Sequence, residues 1–584
     1  MSPRTHAPGR RCTASELGSV SLFEGLPEAA LRRLATTTTR VTIEAGGVLF
    51  REGEAGRDVF VVTSGRLEVV SAARPHRLAW IGPQGIVGER ALLDGGRRCA
   101  TVSAVRDSEL LRIAGDVLER LLDRHPPVLR RLSATVASRV QVTAPADPGV
   151  LSIAVVATGS TERWRATRLC TQLAEVLGRS GPVVVVDRQA GVATGGTTFD
   201  ALESQHRFVI LEAGGWRSEW TRRCLRHADR VLLVGDARAD PATRSDEVRT
   251  LRASLRAGVP CELVLLHDDE VPAAGTSRWL AGRPVSRWHH VTTDAASLAR
   301  LGRHVCGEAT ALVLGGGGAR GLAHLGVIRA MEETGRPIDA VGGTSIGAIM
   351  GAFAALSWDE ERRMAVARSG FVDTRRLVGY TLPLVSLSSS KKLTRLLRHH
   401  VGDTAIEDLP VPFFCVSADY ATGEPVIHDR GPLWWALRAS ISLPGVLPPV
   451  FAGGQLLVDG GVVNNLPVDI MQRRHAGPVI AVDLRSHPGA RTIERFDPTT
   501  SGWEVLWRRL HPGKPSLRLP GPAATMLRAK ELGGKDAHRR RRAAADVLLE
   551  PPVGSVDSMD FRSALPLADT AYQYALGVLT AASA

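Results

Sequence analysis

The 584-residue chain reads as a multidomain protein with an N-terminal β-roll, a middle α/β domain and a C-terminal α/β domain. Three observations predict this order. From Ser21 to about Arg139, brief β-type runs are separated by glycines. At 144–149 (Ala-Pro-Ala-Asp-Pro-Gly) the composition shifts as in a linker. Beyond it, long apolar runs alternate with helical spacing in two successive series, the second starting near Ala309. A chain of this length with 44% hydrophobic residues has room for three or four separate cores.

Residues 1–18 read as a disordered lead-in, and 19–143 as the β-roll with helices at its end. The runs at 40–43, 48–50, 59–62, 67–70 and 100–102 are short, and several alternate. Gly46, Gly53, Gly56, Gly65 and Gly88 punctuate them, which predicts an antiparallel roll or barrel. A helical tail over 114–140 carries leucines at helical spacing. The middle domain is expected over 150–306, with strands at 151–156, 183–186, 208–211, 231–234 and 263–266 and a helix ending at Leu177. Such continuous apolar runs suit parallel strands buried on both faces. The third region divides into a core at 309–480 and an extension, 481–584, that completes it.

The net charge of +13 is carried almost entirely by arginine, since only Lys391, Lys392, Lys514, Lys530 and Lys535 are lysines. Arginine spread over a whole chain argues against a nucleic-acid face, and no nucleic-acid partner is expected. The densest cluster, Arg539 to Arg542 after His538, is expected to form a solvated helix face. Seven cysteines, odd in number and without close pairs, point to a reducing cytoplasm and away from disulfides or a zinc site. No apolar run reaches the length of a membrane span, and the polar N-terminus lacks a secretory h-region. The apolar segment 379–387, before Lys391 and Lys392, suits a lid, an interface contact or a buried loop.

The chemistry concentrates in the third region. The strand at 311–314 runs into Gly315-Gly316-Gly317-Gly318-Ala319-Arg320-Gly321, and a helix-spaced segment follows to Glu333. Gly316, Gly318 and Gly321 also match a dinucleotide fingerprint. That fold wants an acidic residue after its second strand, and Asp339 precedes the strand end, whereas Ser345 in Gly343-Thr344-Ser345-Ile346-Gly347 follows it. A Gly-x-Ser-x-Gly turn fits a nucleophile elbow, and glycine N–H groups at a helix start can surround an oxyanion. A serine hydroxyl needs a general base. The clearest downstream acid is Asp459, ending the apolar run 456–458 and followed by Gly460 and Gly461. His475, His487, His511 and His538 lie among charged or proline-rich residues, so a Ser-Asp dyad is favoured over a histidine triad. His324, on the helix after the glycine run, is expected to be a packed, hydrogen-bonded histidine.

Gly-Gly-Gly-Gly-Ala-Arg-Gly at 315–321, Gly-Thr-Ser-Ile-Gly at 343–347 and Asp-Gly-Gly at 459–461 resemble, in order and spacing, the three motifs of patatin-like phospholipases. The segments 438–445 and 458–467 agree with them. The resemblance implies that Ser345 is the nucleophile, Asp459 its general base, and the N–H groups of Gly316, Gly317 and Gly318 the oxyanion hole. Arg320, Gly321, Gly343, Gly347, Gly460 and Gly461 support these motifs. Arg320 suits either orienting the loop, a salt bridge or a lipid phosphate.

The first domain resembles a cyclic-nucleotide-binding β-roll: Gly53-Glu54-Ala55-Gly56, Asp58 to Gly65, Gly88-Glu89-Arg90-Ala91-Leu92 and Arg97 to Thr101 look like its turns and phosphate cassette. By position Arg98 would meet the cyclic phosphate and Glu89 the ribose, with Gly88 and Cys99 beside them. Arg90, in an apolar position, and Arg97, where proline is common, depart from that pattern and leave binding open. The middle domain resembles a degenerate MinD/ParA-type P-loop fold. Its loop 158–164 lacks the Gly-Lys-Ser/Thr end, so no ATP hydrolysis and a scaffold or dimerisation role are expected. The whole arrangement resembles bacterial relatives of neuropathy target esterase. That implies hydrolysis of phospholipid or lysophospholipid acyl esters without a metal, at the cytoplasmic side and with candidate peripheral membrane contact. A cyclic nucleotide is the candidate regulatory ligand. A regulatory protein with a vestigial hydrolase fold, and an acyltransferase, are the alternatives.

Overall fold

The computed structural model describes residues 12–581, apart from 142–149, 190–198, 373–378, 381–385, 485–533 and breaks of one to four residues. Most of the lead-in, the linker, His487 and His511 therefore lie outside the described residues, as does most of 379–387. Two compact units are formed, one by 1–270 with 276–302, the other by 271–275 with 303–584.

The first unit opens with an antiparallel roll. Strands Thr39–Ile43, Thr101–Ile113, Val59–Ser71 and Arg74–Ile81 are neighbours in that order, with Val48–Phe50 and Ile86–Val87 paired at the sides. Two strands are far longer than their apolar runs. The runs at 59–62 and 67–70 form one strand, Val59–Ser71, whose register shifts around Gly65, at φ +91°. The run at 100–102 begins a thirteen-residue strand, Thr101–Ile113. Its polar middle hides it from hydrophobic patterning, yet Arg106 and Ser108 in that stretch are buried. Arg66 and Arg106 face each other across the ladder, 2% and 1% exposed, and ion-pair with Asp229 and Glu203. Burial alone would raise the Glu203 pKa; hydrogen bonds from His227 and Arg106 outweigh it and hold the carboxyl below the ordinary range. The helical tail is two helices, Gly115–Arg124 and Pro126–Gln141, because a residue before proline is driven out of the helical region.

The same unit carries an all-parallel sheet in the order Arg287–Val291, Cys261–Leu266, Arg230–Asp236, Leu151–Ala157, Phe208–Glu212, Val183–Val186. Five of these strands coincide with the expected runs. The sixth, Arg-Trp-His-His-Val at 287–291, has no apolar run, and its His289 bonds the buried Glu262 at 2.9 Å.

In the second unit, five parallel strands, Phe413–Asp419, Ala340–Thr344, Ala311–Leu314, Val479–Val482 and Val547–Leu549, form the centre of the sheet. Three antiparallel strands, Pro425–His428, Gln455–Asp459 and Val450–Ala452, add to the Phe413–Asp419 side. Helices Ala323–Glu333, Ile346–Ala355 and Leu567–Ala581 contribute a large share of the core against this sheet. Parallel strands place all their C-terminal ends along one edge, where crevices form. Leu314 and Thr344 end there, side by side, so the glycine run and Ser345 emerge together.

Candidate active site

The strand Ala340–Thr344 and the helix Ile346–Ala355 meet at Ser345, whose φ of +58° and ψ of −129° are sparsely populated for a residue with a side chain. Such a backbone costs about 1–3 kcal/mol and persists only where the surroundings over-determine it. They do so here. The Ser345 N–H donates to Ser440 Oγ at 2.9 Å, and Thr344 Oγ1 donates to Asn464 O at 2.9 Å. The flanking glycines are sterically required: a Cβ on Gly343 would stand 2.6 Å from Gly347 O, and one on Gly347 2.3 Å from Leu314 O.

Asp459 ends the antiparallel strand Gln455–Asp459, paired with Ser417. It is 2% exposed, and each carboxylate oxygen accepts a hydrogen bond. Oδ2 takes the Ser345 hydroxyl at 2.6 Å, and Oδ1 takes the Gly461 N–H at 2.7 Å. The two residues that stand 114 apart in sequence are thus in direct contact. Among the described residues no histidine bonds Ser345. His475 holds Ala309 O and His538 holds Asp483. His324 is fully buried and bonds Gly315 O at 2.8 Å, as a packed histidine should. Burial pushes its pKa down to about 4, against the opposing pull of that hydrogen bond, so the ring is neutral.

The glycine turn packs on the serine: a Cβ at Gly316 would lie 3.2 Å from Ser345 Cβ. The three expected oxyanion donors differ in what their N–H groups already meet. Gly316 spends its N–H on Asn465 O at 3.2 Å, because the segment after Asp459 folds back against the turn. Among the described residues, no acceptor outside the turn takes the N–H of Gly317 or Gly318. Gly321 packs its bare Cα on Ile346, and Arg320 Nε donates to Val556 O at 2.9 Å, tying the turn to the C-terminal segment.

Sequence reasoning missed three polar residues that hold this site. Asn465, 7% exposed, accepts from Gly316 N–H and donates Nδ2–H to Gly316 O at 3.1 Å. Ser440, fully buried, receives the Ser345 N–H and donates to Val416 O at 2.7 Å. Arg438 donates to Ser442 Oγ and Pro448 O, and Ser442 O takes the Asp459 N–H at 2.8 Å. Burial lowers the Arg438 pKa to about 10, leaving it charged at neutral pH. Polar residues inside motif-like segments were the available signal.

The upstream anion-binding candidates are filled by the protein itself. Arg98, 6% exposed, donates to Gly88 O at 3.1 Å and Asp58 O at 2.9 Å, and its guanidinium lies 4.1 Å from the Phe50 ring centroid. Glu89 is buried and Cys99 exposed. In the middle domain the carboxylate of Glu247 accepts from Thr158 Oγ1, from Gly159 N–H and from Arg283 Nε. The loop after the first middle-domain strand thus has its Thr158 hydroxyl and its Gly159 N–H engaged by a carboxylate of the chain itself. Of the basic cluster, Arg541 and Arg542 are not a solvated face but pair with Asp469, Asp483 and Glu550, while Arg539 stays exposed. No group of three metal-capable side chains occurs among the described residues, and no described helix is long and apolar enough to cross a membrane.

Family models agree with the three-part architecture. Patatin-like phospholipase matches residues 312–471, cyclic nucleotide-binding domain 40–125, and Neuropathy Target Esterase family P-loop like domain 184–311. The chain is therefore a patatin-like enzyme of the phospholipase or esterase class, with a cyclic-nucleotide-binding roll and a P-loop-like domain upstream. An uncharacterised NTE family protein of Mycobacterium tuberculosis is 33% identical over 581 residues, covering 96% of both chains. Patatin-like phospholipase domain-containing protein 6 of Homo sapiens is 29% identical over 612 residues, covering 92% of this chain and 44% of that one. Protein 7 of the same description, from Mus musculus, is 30% identical over 610 residues, with 91% and 44% covered. The chain belongs to the NTE family.

Proposed function

We propose that the chain hydrolyses acyl esters of phospholipids or lysophospholipids with a Ser345–Asp459 dyad. Ser345 Oγ attacks the ester carbonyl while Asp459 takes its proton, and the oxyanion is met by the N–H groups of Gly317 and Gly318. The leaving alcohol recovers the proton from Asp459, leaving an acyl-enzyme. Asp459 then takes a proton from water as the water oxygen attacks the acyl carbonyl, and returns it to Ser345 Oγ as the acyl–Oγ bond breaks and the fatty acid leaves. No metal enters this scheme. The observation that carries it is the 2.6 Å hydrogen bond from Ser345 Oγ to Asp459 Oδ2 within a strained elbow. Preorganised oxyanion donors are worth roughly two to three orders of magnitude in rate each in other acyl transfers.

The same reading places the β-roll over 19–143 as a regulatory module, the P-loop-like domain over 150–306 as a scaffold, and the hydrolase over 309–480 with its extension 481–584. It places the enzyme at the cytoplasmic face of a membrane, reaching lipid by peripheral contact. Arg98 already gives two of its five N–H groups to the carbonyls of Gly88 and Asp58, so a cyclic phosphate would share a guanidinium that the protein partly engages.

Labelling with a fluorophosphonate, together with fatty-acid release from lysophosphatidylcholine in the presence of glycerol, tests the proposal. Native protein is expected to label and to release free acid, and Ser345→Ala to do neither. Absence of labelling in the native protein rejects the enzyme, and acylglycerol in place of free acid makes it a transferase.

A further inference from the structure

We propose that Asn465 and His324 act as a clamp that aims the oxyanion loop, as positioning residues for the reaction rather than parts of the core alone. The proposal rests on the dyad reading above. Two consecutive peptide planes of the glycine turn are held from opposite sides. In the Gly315–Gly316 plane the carbonyl accepts from His324 Nε2 at 2.8 Å, and the N–H donates to Asn465 O at 3.2 Å. In the Gly316–Gly317 plane the carbonyl accepts from Asn465 Nδ2 at 3.1 Å. A trans peptide is planar, with its C=O and the following N–H pointing in opposite directions. Fixing Gly316 O toward Asn465 therefore fixes the Gly317 N–H pointing away from it. That N–H belongs to the pair without an acceptor outside the turn among the described residues.

Four glycines in a row otherwise have no side chains with which to hold a direction, and glycine loses the most freedom on ordering. The clamp supplies the order from outside the loop. Both clamp residues are suited to one geometry. His324 Nδ1 has no hydrogen-bond partner among the described residues and is buried, so Nε2 carries the single proton that Gly315 O needs. Asn465 offers its own carbonyl and its side-chain amide to the same residue, Gly316. It also lies six positions after Asp459, with Asn464 O receiving Thr344 Oγ1. One short segment thus ties the acid, the elbow and the oxyanion loop into a single rigid unit, which is what positioning to within a fraction of an ångström requires.

The test compares a soluble aryl ester with its matched thionoester, in which sulfur replaces the carbonyl oxygen and weakens bonding to oxyanion donors. Asn465→Ala is expected to lower kcat/KM for the oxygen ester by roughly ten- to a hundred-fold, part of one donor's worth. The loss falls in kcat with KM little changed, and the thionoester loses several-fold less. Asn465→Asp, which places an oxygen against Gly316 O, is expected to be worse than alanine. His324→Gln releases the same loop from its other side and is expected to show the same selectivity should Asn465→Ala fold poorly. Equal losses on ester and thionoester, or no loss in any variant, overturn the clamp. Ser345→Ala runs alongside: if it retains turnover, the dyad reading has failed, whereas its inactivity beside unselective clamp variants rejects the clamp alone.

Discussion

Asp459→Asn separates a dyad from every alternative source of the base. Both carboxylate oxygens of Asp459 accept hydrogen bonds, from Ser345 Oγ at 2.6 Å and Gly461 N–H at 2.7 Å. Asparagine has one acceptor oxygen and one amide. If that oxygen stays on Gly461, the amide faces Ser345 Oγ, and the hydroxyl must accept instead of donate. The lone pair needed for attack is then engaged and no group takes the proton. General-base contributions of roughly 10² to 10⁴ in rate correspond to a barrier increase of about 3 to 5.5 kcal/mol. The shape of the side chain is unchanged, so the fold should survive with a loss near the size of one hydrogen bond, about 1 kcal/mol. The assay is the second-order rate of fluorophosphonate labelling beside ester turnover, with thermal unfolding as control. Both rates should fall together by at least a hundred-fold while the melting transition moves by a few degrees. Asp459→Asn within ten-fold of the native rate would show that another group accepts the Ser345 proton, and the dyad would have to be abandoned.

Acid should weaken the second unit before its carboxylates titrate. Burial lowers the pKa of His324 and of His428 to about 4, so each is neutral when folded and protonates near 6.5 when unfolded. A depressed histidine adds stability that is fully present above the unfolded pKa and drains as pH falls from 6.5 toward 4, at about 1.4 kcal/mol per pH unit for each ring. Calorimetry at pH 7 and 5 should record this loss, and His428→Gln should reduce its slope by one proton. In the middle domain MgATP is expected to give no saturable heat, and Glu247→Gln, which strands the fully buried Arg283, should cost about 3–5 kcal/mol of stability; sub-millimolar MgATP binding would refute the filled-loop reading. Cyclic AMP or cyclic GMP is expected to bind the β-roll no tighter than millimolar because Gly88 O and Asp58 O already hold two of the Arg98 N–H groups and fix the direction of the guanidinium. Micromolar binding lost in Arg98→Ala would refute that.

What could be read in advance followed from how each residue announces itself. The parallel strands of the middle domain are continuous apolar runs, and their positions agree with the structure nearly residue by residue. Ser345 and Asp459 were legible because an elbow and an acid at a strand end each carry a local signature. Their contact could be inferred only by matching roles, since 114 residues separate them. The roll strands were cut short because Arg66, Arg106 and Ser108 interrupt the apolar pattern, yet each is buried with a partner elsewhere in the chain. The strand Arg287–Val291 failed for the same reason. Hydrophobic patterning assumes that buried means apolar, and it fails wherever an ion pair or hydrogen-bond network pays for burial. Gly316 was assigned to the oxyanion hole because a glycine run does not say which N–H is already taken. That depended on Asn465, 149 residues away.

Each of the three domains carries a turn that resembles an anion-binding one in sequence, and they differ in what the groups of that turn already bond. In the roll, the cassette arginine is held by two backbone carbonyls and an aromatic ring. In the P-loop-like domain, the turn's N–H and hydroxyl are closed by the carboxylate of Glu247, itself neutralised by Arg283. In both, groups that could meet an anion already bond the protein in part, so an anion there would share them with bonds that are already made. In the C-terminal domain the anchoring bonds stop one peptide short, at Gly316, and in the mechanism proposed above the N–H groups of Gly317 and Gly318 meet a charge that exists only during reaction. Donors held without an internal partner contribute most when the negative charge develops, because nothing must be broken to use them. The strained Ser345 is braced through its N–H by Ser440 and through Thr344 rather than by its hydroxyl, which bonds Asp459, the group that takes its proton in the proposed mechanism.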